Sequence, residues 1–119
     1  MPTLSTHVLD TALGRPAAGV EVRLYRAADG ELLAEARTDA DGRIAGLPLE
    51  AGSAQSDARS DKHEEYRLVF ATEEYFRRQD VTDFFYAEVA ISFRVGGALG
   101  RYHVPLLLSP FAYSTYRGS

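Results

Sequence analysis

Apolar residues fall at every second position along much of this chain, and Gly, Asp and Pro interrupt the alternation about every ten residues. A period of two belongs to strands, because successive side chains leave a strand on opposite faces. Its repetition predicts an all-β sandwich or barrel. Val20, Val22 and Leu24 alternate with Glu21, Arg23 and Tyr25, and Asp29-Gly30 then supplies a turn whose second residue tolerates positive φ. Leu32, Ala34 and Ala36 alternate with Leu33, Glu35 and Arg37, and Asp41-Gly42 precedes a short strand from Arg43 to Leu47. Tyr66, Leu68 and Phe70 alternate with Arg67 and Val69. Val89, Ile91, Phe93 and Val95 stand against Glu88, Ala90, Ser92 and Arg94.

One stretch reads as helix, from about Glu73 to Gln79, with Thr72 as its cap and Glu73 and Glu74 complementing the positive end of the dipole. Residues 50 to 65 are polar and aperiodic, the pattern of a surface loop. His63 lies there and is read as a solvated histidine outside any site.

With 119 residues the chain is sized for one domain, 1–119, and one core. A net charge of −4 argues against a nucleic-acid partner, which needs a basic face. The absence of cysteine excludes a disulfide framework, a thiolate nucleophile and cysteine-ligated zinc. No His-x-His pair suggests a metal. The first ten residues lack a basic region followed by an apolar run, and no stretch approaches the roughly 18 apolar residues of a spanning helix. The expected location is therefore the cytoplasm, with no membrane partner.

The residues from Tyr102 to Leu108 differ from the other strands. Val104, Leu106 and Leu108 suit a core, yet the opposite side carries His103, Pro105 and Leu107, which are not made for water. A second copy of the chain is the natural cover, so this strand is predicted to be an oligomer contact. In the first strand Leu4, Thr6 and Val8 point one way and Ser5, His7 and Leu9 the other. His7 and His103 thus both sit on non-core faces. Such histidines suit general acid or base work near neutral pH if desolvated by assembly, but spacing alone favours a hydrogen-bonded interface pair. Arg43, just after its turn, and Arg117 can each hold an anion or lie in solvent. No Gly-x-Ser-x-Gly elbow, phosphate-cradling glycine loop or His-Glu-x-x-His helix is present.

The stretches LSTHVLD, GRPAAGVEVRLY, TDADGRI, YRLVF and YHVPLLLSPFAYSTYRGS, with YF at 75–76 and FF at 84–85, resemble the 5-hydroxyisourate hydrolases, the transthyretin-related proteins of purine breakdown. The resemblance spans nearly the whole chain, and Tyr116-Arg117-Gly118-Ser119 is its most specific part. It implies a transthyretin-like, or prealbumin-like, β-sandwich of two four-stranded sheets with one short helix, assembled as a homotetramer whose active sites lie at the dimer–dimer interface. The activity implied is that of a cyclic amide hydrolase. It opens 5-hydroxyisourate to 2-oxo-4-hydroxy-4-carboxy-5-ureidoimidazoline, on the way from urate to allantoin, without a cofactor.

Carried over residue by residue, the catalytic set is His7, Arg43, His103 and Ser119. Substrate contacts fall to His7, Arg43, Ser114, Tyr116 and Arg117. The histidines activate and orient water, and Arg43 stabilises developing charge; which histidine is the base stays open. Three departures from the family pattern stand out: Arg101 two positions before His103, Tyr86 where proline is usual, and a long 50–65 segment. The rival reading is a transthyretin-like carrier without catalysis, a fold relative that lacks these two histidines, the arginine after the turn and the terminal motif.

Overall fold

The computed structural model describes residues 2–49, 64–96 and 100–118. His63, Ser119 and nearly all of the 50–65 segment therefore lie outside the described residues. Among these residues nine strands and one helix follow in the order β1 (Thr3–Asp10), β2 (Arg15–Pro16), β3 (Glu21–Arg26), β4 (Leu32–Arg37), β5 (Arg43–Pro48), β6 (Glu64–Phe70), α1 (Thr72–Arg78), β7 (Val89–Val95), β8 (Arg101–Leu108) and β9 (Tyr113–Thr115). They form two sheets. One runs β4-β3-β6-β7, and the other runs β5-β1-β8-β9, with the two-residue β2 added beside the end of β1. The two-sheet sandwich with one short helix is the expected architecture, four principal strands to each sheet.

The sandwich closes because the alternation sends one row from each strand inward. Leu4 and Val8 of β1, with Leu106 and Leu108 of β8, meet Val22, Leu24, Leu68 and Phe70 of the other sheet, and all are fully buried. Each such side chain contributes roughly 1.5–3 kcal/mol by leaving water. Strand β1 is the centre of the site-bearing sheet: it pairs in parallel with β8 and antiparallel with β5. Its C-terminal end is tied to the helix by the Tyr75 hydroxyl, which donates to the buried Asp10 carboxylate at 2.7 Å. Burial comes first, and that hydrogen bond second, in raising the Tyr75 phenol above its usual pKa. The other Asp10 oxygen accepts the Ala12 and Leu13 amides and so caps the turn after β1.

Two local expectations are corrected. Thr72 does not cap the helix: Ala71 stands at that position, and the buried Thr72 hydroxyl instead donates to the Tyr86 carbonyl at 2.9 Å. Tertiary packing took the hydroxyl that a free helix end would use. Leu32 does not share the inner row with Ala34. A bulge pairs Leu24 with Ala34 but Tyr25 with Leu32, so one residue drops out of register and Leu32 is turned outward, 45% exposed.

Candidate active site

The side chains that matter gather on the outer face of the β5-β1-β8 surface, and register places them there. His7 is the cross-strand partner of Arg43 in β5, and Ser5 is the partner of His103 in β8. Partners in a sheet share a face. Ser5, His7, Arg43, His103 and Pro105 therefore line one surface, and Ser114 joins them through its pairing with Leu107. The core-facing residues between them, Thr6 and Val104, are locked beneath by the Thr6 hydroxyl donating to the Val104 carbonyl.

Arg43 is delivered by its turn. The Asp39 carboxylate accepts the Asp41 amide at 2.8 Å and the Arg43 amide at 3.0 Å. Gly42 has φ of 77°, and its carbonyl accepts the Val8 amide at 2.7 Å. A side chain on Gly42 would run into the Val8 carbonyl oxygen, so only glycine lets the turn lie against β1. The next residue, Arg43, is thereby fixed beside His7. Its side chain is exposed, and its guanidinium has no hydrogen bond or ion pair among the described residues. The Arg43 amide, the Asp41 amide and the positive charges of Arg43 and His7 hold the Asp39 carboxyl below the usual carboxylate range.

His103 is gripped on two sides. Its Nδ1 lies 2.8 Å from the Ser5 hydroxyl oxygen, a hydrogen bond spanning 98 positions of sequence. Gly118 lies against the ring: a Cβ there would come within 2.5 Å of Cδ2 and 3.1 Å of Cγ. The Gly118 amide also donates to the His103 carbonyl at 2.8 Å. Burial, then the nearby Arg43 and His7 charges, push the His103 imidazole below its ordinary pKa, against a hydrogen bond to the Ser5 backbone that favours the protonated ring. A neutral imidazole at neutral pH can accept a proton from water. Its Nε2 makes no hydrogen bond among the described residues.

The terminal motif is shaped by Pro105. Strand β9 pairs with β8 through Leu106–Thr115 and Leu108–Tyr113, and one further bridge joins His103 to Gly118. Between them Pro105 has no N–H to continue the ladder. Its carbonyl accepts the Thr115 hydroxyl at 2.7 Å instead. Tyr116 and Arg117 consequently stand off the sheet and are exposed, and the chain returns at Gly118. Arg117 stacks on the ring of Tyr102, 5.5 Å from its centroid, and contributes with Ile91, Phe93, Val104 and His103 to a cavity of about 230 Å³. Tyr102 precedes His103 and faces the opposite side of β8. The candidates thus divide: His7, Arg43, His103 and Ser114 lie on the outer face, whereas Tyr116 and Arg117 line the cavity that His103 also borders.

Sequence reading did not single out Ser5, Asp39 or Gly118 as parts of this arrangement. Parity already put Ser5 on the face of His7, and Asp39 stands four residues before Arg43, so each left a faint signal. Gly118 left one only through the terminal motif. Among the described residues, no group of three His, Asp or Glu side chains is placed to hold a metal ion.

The sequence and the fold have counterparts among known proteins. A 5-hydroxyisourate hydrolase of Caulobacter vibrioides is 47% identical over 128 residues, covering all of both chains. 5-Hydroxyisourate hydrolase 2 of Rhizobium meliloti is 45% identical over 122 residues, covering 98% of this chain and 95% of that one. The solved structure of Klebsiella pneumoniae 5-hydroxyisourate hydrolase superposes with a TM-score of 0.80 at 38% identity over the full length of both chains. The model of the HIUase/Transthyretin family matches residues 4–118, from β1 through Gly118, and the chain belongs to that family.

Proposed function

We propose that this protein is a cyclic amide hydrolase that opens 5-hydroxyisourate to 2-oxo-4-hydroxy-4-carboxy-5-ureidoimidazoline in urate degradation. The observation that carries this reading is the register that sets His7, Arg43 and His103 side by side, with an imidazole of lowered pKa next to an arginine that has no carboxylate partner among the described residues. Hydrolysis of a ring amide needs both. A base removes a proton from water as its oxygen bonds to the carbonyl carbon, and a fixed cation meets the charge that develops on the carbonyl oxygen. The tetrahedral intermediate then breaks its C–N bond, the ring nitrogen takes up a proton, and a carboxylate and an opened ring result. His7 and His103 supply the proton-transfer groups and Arg43 the charge. Ser114, Tyr116, Arg117 and Ser119 are assigned to orienting the substrate and these groups.

A homotetramer belongs to the same proposal. Strand β8 keeps Pro105 buried and His103 and Leu107 half-buried on its outer face, and Leu13, Phe85, Phe111, Tyr113 and Tyr116 are large exposed apolar residues elsewhere. Apolar surface of that kind favours assembly. Among the described residues no helix is long and apolar enough to cross a membrane, and a cytoplasmic location is part of the proposal.

The test is the ultraviolet decay of freshly generated 5-hydroxyisourate, followed with wild-type protein, His103→Asn and no protein. The wild type is expected to accelerate decay strongly and His103→Asn to fall toward the uncatalysed rate. A wild-type rate equal to the blank, with retention of the ligand on the protein, would replace the hydrolase by a carrier.

A further inference from the structure

We propose that Ser5 is a positioning residue that selects the tautomer of His103, holding the proton on Nδ1 so that Nε2 is the atom that accepts a proton from water. The proposal deepens the hydrolase reading and rests on it for the identity of the reaction.

The geometry is one-sided. Ser5 and His103 are register partners on the parallel pair β1–β8, which brings the Ser5 hydroxyl oxygen to 2.8 Å from Nδ1. Gly118 packs against the Cδ2–Cγ edge of the ring, close enough that an added Cβ would collide with it. Nε2 is left without a hydrogen bond among the described residues. In a neutral imidazole one nitrogen donates and the other accepts, and the partner of one nitrogen decides the state of the other.

The Ser5 hydroxyl oxygen has lone pairs that accept an N–H from Nδ1. A ring that donates from Nδ1 carries its lone pair on Nε2. That is the form a general base needs, and it assigns the base to His103 rather than His7. The Arg43 guanidinium on β5 opposes a second proton on the same ring.

Two measurements test this, one of them independent of the substrate. Ring ¹⁵N spectra of ¹⁵N-histidine-labelled protein near neutral pH, with the His103 signals identified by their loss in His103→Asn, report the tautomer directly. The wild type is expected to show a protonated Nδ1 and an unprotonated Nε2, and Ser5→Ala to shift the population toward Nε2–H. In the decay assay Ser5→Ala is expected to lower kcat about tenfold, the worth of one hydrogen bond of ordinary strength, with KM within about twofold. Ser5→Thr, which keeps the hydroxyl, should restore most of the loss. A wild-type spectrum dominated by Nε2–H overturns the proposal, as does a Ser5→Ala kcat equal to wild type. Protein that shows the Nδ1–H spectrum yet leaves 5-hydroxyisourate untouched would uphold the tautomer and sink the hydrolase reading instead.

Discussion

Two outer surfaces of this sandwich, one on β4-β3 and one on β5-β1-β8, carry cations in opposite ways. On the β4-β3 side each arginine is answered by a carboxylate: Arg23 by Glu21 at 2.9 Å and by its cross-strand neighbour Glu35 at 3.6 Å, and Arg37 by Glu74 of the helix at 3.2 Å and Glu21 at 3.8 Å. On the β5-β1-β8 side Arg43 and two histidines share a surface, and the nearby Asp39 oxygen is occupied by backbone amides. The β4-β3 surface answers Arg23 and Arg37 itself. The other leaves Arg43 without a carboxylate partner among the described residues and lowers the pKa of a neighbouring imidazole, an arrangement suited to an oxyanion.

The sharpest way to break the contrast is to remove the unanswered cation. Arg43→Ala is expected to lower kcat/KM for 5-hydroxyisourate by at least about a hundredfold, with an unchanged circular dichroism spectrum, since the loss falls on the transition state rather than on packing. The same variant reads the electrostatics. His103 must be neutral to act as base, so activity disappears as pH falls through its pKa, which in the wild type lies below the ordinary imidazole value. Deleting Arg43 removes one of the charges that depress it, so the acid limb of the residual activity should move to higher pH. An unshifted limb would detach His103 from that role.

A smaller effect is expected where the ring is held. Gly118→Ala puts a methyl group where the His103 Cδ2 now lies within 2.5 Å, so the ring or the terminal segment must shift. Displacements of that order cost about 10- to 100-fold in turnover when a catalytic group is moved. Melting temperature and size-exclusion profile should stay close to wild type. Full activity in Gly118→Ala would mean that the terminal segment does not position the histidine.

The smallest effect belongs to the self-paired face. Arg37→Ala breaks exposed ion pairs of the kind that rarely contribute much, and should leave turnover unchanged and the melting curve nearly so. A large loss of activity there would erase the distinction between the two faces.

Much of this was legible in the residues. Alternation located the principal strands, Asp29-Gly30 and Asp41-Gly42 marked turns whose glycines do take positive φ, and parity set His7 and His103 away from the core. The failures share a cause. Leu32 obeys the alternation by itself, but a bulge against β3 turned it outward; Thr72 has the chemistry of a cap, but Tyr86 claimed its hydroxyl.

What the sequence determined by itself is local: which residues alternate, where the chain can turn, and which side of its own strand each histidine occupies. These follow from backbone geometry within a few residues. Tertiary structure decided who meets whom. Ser5 and His103 are 98 positions apart, and only the parallel register of β1 on β8 joins them. Only the return of the chain after Pro105 lays Gly118 on that imidazole while Arg117 swings onto Tyr102. Register and return are settled by the packing of both sheets around one core, a property of the whole chain that no short stretch of it carries.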